Sequence, residues 1–92
     1  MKFIHIGYRN LVAAERIVAL AAPDSAPIRR LIQDSREQGR AIDCTCGKKT
    51  KSVLITDSDH ILLSALPPET LAARMGEGAE AEADETGIEE AE

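Results

Sequence analysis

The chain has 92 residues, with 16 acidic and 11 basic side chains and a net charge of −5. This length corresponds to one small domain, and the lack of any run of about 18 apolar residues predicts no membrane span. The two closely spaced cysteines give no disulfide framework, so we expect a cytoplasmic protein with no membrane partner.

The charge is unevenly distributed along the chain. Residues 1–74 contain 11 basic and 8 acidic side chains, whereas residues 75–92 contain 8 acidic and no basic side chains. A mildly basic body therefore precedes an acidic tail, which favours either a polyanionic partner for the body or a regulatory role for the tail. Only Phe3 and Tyr8 are aromatic. Because single-stranded nucleic acids are bound by aromatic stacking, duplex DNA is the expected form of any nucleic-acid partner.

The first half of the chain predicts two strands and one helix. Lys2 to Ile6 alternates as a strand does, and Gly7 to Asn10 is typical of a turn in which glycine and asparagine accept positive φ. Leu11 to Ala22 is ambiguous because its alanines favour a helix, and we place a strand over Arg16 to Ala21. The clearest helix is Ser25 to Gln38, which has a capping serine and apolar residues at helical spacing.

The second half predicts a β-hairpin, a further strand and a short helix. The elements are a strand at Ala41–Cys46, a strand at Ser52–Thr56, a turn at Asp57–Asp59, a strand at His60–Leu66 and a helix from Pro68 to about Arg74. Gly47-Lys48-Lys49-Thr50-Lys51 forms the tip of the hairpin, where glycine permits a tight connection.

These elements predict an α+β fold with a mainly antiparallel sheet and one amphipathic helix on a face. The strands at 52–56 and 60–66 are apolar on both faces, and the short C-terminal helix can cover only part of the second face. We expect the remainder to pack against another copy in a homo-oligomer. Residues 1–75 form the predicted domain, and residues 76–92 form a predicted disordered acidic tail because they have almost no bulky apolar side chains.

Two clusters invite a chemical interpretation. Cys44 and Cys46 would share a strand face, but a zinc site needs about four ligands and would also have to recruit His5 and His60. A metal-binding or redox protein is therefore the least favoured hypothesis. Asp57-Ser58-Asp59-His60 is better explained as a turn, because four successive side chains cannot converge on one reacting group. We expect no enzymatic activity, no cofactor and no small-molecule substrate.

The basic side chains of the body remain as candidates for binding. If Arg16 starts a strand beside the hairpin, its guanidinium lies next to the lysine tip and forms a phosphate-binding stripe with it. The predicted DNA contacts are Arg16, Lys48, Lys49, Lys51 and, more weakly, Arg9. A non-catalytic protein–protein interaction module, with the same charges meeting an acidic partner, is the alternative.

Short segments spread over residues 2 to about 74 carry a likeness to a known family. They are Lys2-Phe3-Ile4-His5-Ile6-Gly7, Arg16-Ile17-Val18, Pro23-Asp24-Ser25-Ala26-Pro27-Ile28-Arg29-Arg30-Leu31-Ile32, Gly47-Lys48-Lys49-Thr50-Lys51, Asp57-Ser58-Asp59-His60 and Pro68-Glu69-Thr70. In order and spacing they resemble the RemA family of small bacterial regulators, which activate biofilm matrix genes. The resemblance implies a transcriptional regulator that binds duplex DNA and assembles into a ring-like homo-oligomer.

The resemblance also implies functional roles for particular residues. It implies that Arg16, and Lys49 in the tip, match arginines important for DNA binding in the family. This chain has Lys-Lys-Thr-Lys where the family pattern is arginine-rich, and lysine keeps the charge without bidentate geometry. Cys46 stands where an aromatic residue is usual. The acidic tail lies outside the resemblance, and we expect it either to aid solubility or to compete with DNA for the lysines.

Overall fold

The computed structural model describes residues 2–76, and these residues form the α+β fold that the sequence predicts. In chain order the elements are β1 Phe3–His5, β2 Leu11–Ala13, a 3₁₀ turn Ala14–Arg16, β3 Ile17–Ala21, α1 Ala26–Glu37, β4 Ala41–Asp43, β5 Ser52–Thr56, β6 Ile61–Ser64 and α2 Pro68–Met75. The predicted disordered tail lies outside the described residues, except for Gly76.

The main sheet contains four strands in the order β3-β5-β6-β4. β5 pairs antiparallel with both β3 and β6, whereas β4 pairs parallel with β6. The edge strands β3 and β4 also run in the same direction, and α1 makes the long crossover between them that such strands need. Because β6 lies between β4 and β5, the predicted hairpin with a lysine tip is wrong. Residues 44–51 instead cross the end of β6 to reach β5.

The helix α1 follows from its local sequence signals. The hydroxyl oxygen of Ser25 accepts a hydrogen bond from the Ile28 N–H at 3.4 Å, and a proline occupies the first turn, where no N–H donor is needed. Gly39 follows the C-terminus with a φ of +74°, a conformation that favours glycine. The predicted helix over Ser25–Gln38 is confirmed, with these two end residues acting as caps.

Elements of this one chain pack against both faces of the main sheet. On one face, Val53 and Leu63 pack beneath the apolar side of α1. On the other face, Leu54 and Leu62 pack beneath α2 and the N-terminal ribbon, which consists of β1 and β2. Leu71 of α2 is fully buried there. The inference that this second face needs another copy is wrong, because the β1–β2 ribbon supplies the missing cover. Self-association stays a prediction.

The N-terminal ribbon contains the strand that the sequence analysis missed. β2 pairs antiparallel with β1, and the turn between them has positive φ at Gly7, Tyr8 and Arg9. Asn10 supports this turn through its side-chain amide, which donates to the Gly7 carbonyl at 2.9 Å, rather than through a positive φ of its own. Arg16 belongs to the 3₁₀ turn before β3 and not to the strand, because the chain reverses there from one sheet into the other.

The C-terminal elements follow the prediction. β6 lies inside the predicted strand over His60–Leu66, and α2 begins at Pro68 as expected and ends at Met75. Across residues 2–76, no helix combines the length and apolar character that a membrane crossing requires.

Candidate nucleic-acid interface

Residues 47–51, called the lysine loop below, follow a turn that Asp43 organises. The Asp43 carboxylate accepts hydrogen bonds from the Thr45 N–H at 2.9 Å and from the Thr45 hydroxyl at 2.6 Å. The Lys48 N–H then donates to the Thr45 carbonyl at 3.0 Å. Both residues between Thr45 and Lys48 have positive φ, as in a type I′ turn, so the backbone entering the loop is well determined.

Buried serines hold the other end of the lysine loop. The Lys51 N–H donates to the Ser64 carbonyl at 2.8 Å, and the Ser52 hydroxyl donates to the Leu66 carbonyl at 2.6 Å. Ser52 and Ser64 are both fully buried. All three lysines of the loop are exposed. The loop therefore presents exposed cationic side chains on an anchored backbone.

Arg9 lies at the same end of the molecule as the lysine loop. The Ser64 hydroxyl donates to the Ile6 carbonyl at 2.8 Å, and Ile6 leads directly into the turn that carries Arg9. Arg9 is exposed, like the lysines. The structure thus brings four of the five predicted contact residues to one end of the sheet.

An open groove of about 770 Å³ borders the lysine loop. Its lining residues include Lys49 and Lys51 of the loop, Asp24 from the segment after β3 and Glu69 from the start of α2. The acidic residues limit the positive surface on this side to the loop itself.

Arg16 lies at the opposite end of the sheet. In the antiparallel β3–β5 pair, Ile17 is opposite Thr56, so the start of β3 lies at the end of β5. The chain from Lys51 to Asp57 spans about 20 Å at roughly 3.3 Å per residue. The predicted stripe that joins Arg16 to the lysines within one copy is therefore wrong, because the antiparallel register separates them.

Arg16 is paired with Asp57. Its Nε donates to both carboxylate oxygens, at 2.8 and 2.9 Å, and the Asp57 N–H donates to the Arg16 carbonyl at 2.9 Å. The side chains are 57% and 45% exposed. Among residues 2–76 this is the one ion pair within 4.0 Å. The sequence did not predict a role for Asp57 at this site. Its position at the end of a predicted strand was visible in the sequence, but nothing nearby indicated that Arg16 is its partner.

The segment Asp57–His60 is the β5–β6 turn, as predicted. The Thr56 N–H donates to the His60 carbonyl at 3.0 Å, and the Ser58 hydroxyl lies 2.8 Å from His60 Nδ1 and 2.9 Å from the Thr56 hydroxyl. These bonds close the turn on itself. The polar side chains that suggested catalysis therefore serve to shape the turn.

The two cysteines occupy different environments. Cys44 is buried, whereas Cys46 is exposed in a turn. Because β4 ends at Asp43, neither cysteine lies in a strand, and the prediction that they share a strand face is wrong. Burial, and then the charge of Asp43, raise the pKa of the Cys44 thiol, which keeps it protonated at neutral pH. Within the described part of the chain, no three histidine, cysteine or acidic side chains cluster as metal ligands would.

The hydrogen bonds between Thr45 and Asp43 predict that the turn leading into the lysine loop loses stability at low pH. The Thr45 hydroxyl and then its N–H lower the pKa of the Asp43 carboxyl below its ordinary 3.8. A depressed folded pKa means that the stabilisation is present above pH 3.8 and is lost as the pH falls through the folded value. We expect the Thr45 amide resonance to shift in an NMR titration with a midpoint below pH 3.8, as the Asp43 carboxyl takes up a proton. Asp43→Asn should abolish this shift, and a midpoint above pH 4 would contradict the assignment.

The described residues define a small α+β domain with exposed basic side chains at both ends of its sheet. A family model described as extracellular matrix regulatory protein A-like, or RemA-like, matches residues 3–75. The chain belongs to this family, and the resemblance inferred from the sequence is confirmed.

Relatives from several bacteria are similar over most of their length. A protein of Geobacillus thermodenitrificans is 57% identical over 75 residues, which cover 82% of this chain and 86% of the relative. A protein of Acetivibrio thermocellus is 56% identical over 75 residues, covering 82% of this chain and 81% of the relative. A Clostridium botulinum protein is 52% identical over 82 residues, covering 89% and 90%. All three are named only as regulatory proteins, which together with the family supports a regulatory rather than an enzymatic role.

Proposed function

We propose that this protein binds duplex DNA as a homo-oligomer and regulates transcription, with extracellular matrix genes as targets suggested by the family description. The lysine loop is the observation that carries the proposal. Its three lysines have no acidic partner within 4.0 Å among residues 2–76, and hydrogen bonds anchor the backbone on both sides. Such lysines can contact phosphates and release counterions without first breaking an ion pair to any of residues 2–76.

The two basic ends of the sheet make separate DNA contacts in this proposal. Their separation of about 20 Å corresponds to about six base pairs of B-DNA at 3.4 Å per base pair. Each copy therefore offers a few phosphate contacts at two places. Affinity depends on repeating these contacts over several copies, which raises the effective concentration of each binding site.

The open edges of the main sheet support the proposed ring-like assembly. Among the described strands, β3 pairs only with β5 and β4 only with β6, so each has one free edge. Val18 on β3 is 64% exposed and Ile42 on β4 is 45% exposed. Contact between the β3 edge of one copy and the β4 edge of the next is head-to-tail, and such contacts close into rings when the rotation fits.

Titration of a labelled 30-base-pair duplex with the full chain tests DNA binding. We expect the logarithm of affinity to fall linearly with the logarithm of salt concentration between 50 and 200 mM, with a slope of about −0.9 per phosphate contacted. Arg16→Ala should weaken binding with little change in thermal unfolding, because an exposed ion pair contributes only about 0–1 kcal/mol.

A matched variant and a competitor complete this experiment. Arg36→Ala removes an exposed arginine from α1 and should leave DNA affinity nearly unchanged. Poly-L-glutamate should compete with the duplex only weakly. Preferential binding of polyglutamate, with salt-independent or absent DNA binding, would identify the alternative protein–protein interaction module instead.

A further inference from the structure

We propose that Asp57 is a positioning residue that orients Arg16 for DNA contact; this inference rests on the DNA-binding function proposed above. Both carboxylate oxygens of Asp57 accept from the single Nε–H of Arg16, at 2.8 and 2.9 Å. Within residues 2–76, Nη1 and Nη2 of Arg16 donate no hydrogen bond, and Nε alone donates to the carboxylate. The pair therefore fixes one edge of the guanidinium and leaves the other edge free to donate to DNA.

A backbone hydrogen bond also joins Asp57 to Arg16. The Asp57 N–H donates to the Arg16 carbonyl at 2.9 Å, next to the paired residues Ile17 and Thr56. Main chain and side chain thus join the same two residues. An unpaired surface arginine loses rotamer freedom when it binds a ligand, whereas Arg16 has lost much of that freedom before DNA arrives.

The turn around Asp57 is itself braced. The Thr56 hydroxyl, the Ser58 hydroxyl and the His60 ring form a chain of contacts at 2.9 and 2.8 Å on the residues that flank Asp57. This gives the segment Asp57–His60 a role: it holds a carboxylate at a defined place beside the 3₁₀ turn that carries Arg16.

A carboxylate beside a DNA-contacting arginine has two opposing effects. It orients the guanidinium, and it also repels phosphate and reduces the local positive charge. A contact that blocked DNA would occupy the Nη groups, but Asp57 engages Nε alone. The Arg16 side chain is also 57% exposed, so DNA can reach it while the pair stays intact. Orientation is therefore the dominant effect, and loss of Asp57 weakens DNA binding although it removes a negative charge.

Three variants of the full chain test this inference on the same 30-base-pair duplex. Asp57→Ala should weaken binding by about three- to tenfold, because it removes the acceptor of a charge-assisted bond. Asp57→Asn should retain most of the affinity, because its amide oxygen still accepts from Nε. Asp59→Asn removes the same charge from the same turn, at a φ of +67° that asparagine tolerates, and should bind as well as the wild type or slightly better.

A double-mutant cycle separates failure of this inference from failure of the proposed function. In the Arg16→Ala background, Asp57→Ala should have no further weakening effect. If Arg16→Ala alone leaves DNA binding unchanged, Arg16 is not a DNA contact and that part of the proposed function fails. If Arg16→Ala weakens binding but Asp57→Ala tightens it, as a simple loss of charge would, only the positioning role is overturned.

A direct readout in DNA-free protein completes the test. The Arg16 Nε–H should give a slowly exchanging NMR resonance in the wild type and in Asp57→Asn, and should lose protection in Asp57→Ala. Thermal unfolding of each variant checks that the fold persists. A rapidly exchanging Nε–H in the folded wild-type protein would overturn the inference without any DNA measurement.

Discussion

Replacing all three lysines of the lysine loop with alanine is expected to reduce DNA affinity most strongly at low salt. Each lost phosphate contact flattens the salt dependence by about 0.9, so the slope should fall by about 2.7 for every copy engaged with DNA. The fold should persist, because the loop is anchored through backbone groups and buried serines rather than through the lysine side chains. The measurement is a duplex titration between 50 and 200 mM salt.

Substitution of the same three lysines by arginine is the matched control. Arginine preserves each charge and adds bidentate phosphate geometry, so this variant should keep the salt slope of the wild type and bind at least as tightly. An unchanged slope in the alanine variant would show that the loop does not contact phosphates.

A lysine at a free edge of the main sheet is expected to dissociate the oligomer. Wild-type protein should scatter light as a particle several times the 9.9 kDa chain mass at micromolar concentration. Ile42→Lys or Val18→Lys should reduce this mass to that of one chain, because an edge lysine opposes strand addition. DNA affinity should then fall by about 10²–10⁴, the range over which multivalency operates.

Phe3→Lys provides the control for the edge variants. Phe3 is 59% exposed, but it lies on the outer face of the β1–β2 ribbon and not on an edge of the main sheet. This variant should remain oligomeric. If Phe3→Lys alone lowers the mass, the interface lies on the ribbon; a wild-type monomer would contradict self-association altogether.

The sequence by itself determined the elements whose signals are local. α1 was predictable because a capping serine, an early proline, apolar residues at helical spacing and a following glycine all act within a few residues. The same holds for the turn at Asp57–Asp59 and for α2 after its prolines. The exposed lysines and the RemA-like family could also be recognised, since charge clusters and motif order need no knowledge of pairing.

The tertiary structure alone decided the neighbours of β3 and β4 in the sheet and, with them, the layout of the site. The choice of β6 rather than β5 as the partner of β4 depends on how α1 crosses the sheet, and no signal within residues 41–56 reports that path. The antiparallel register of β3 and β5 then separates Arg16 from the lysine loop and brings Asp57 to Arg16 across 41 residues of sequence. Strand pairing is a contact between distant segments, stabilised by burial of both sheet faces, whereas caps and periodicity report only their immediate surroundings.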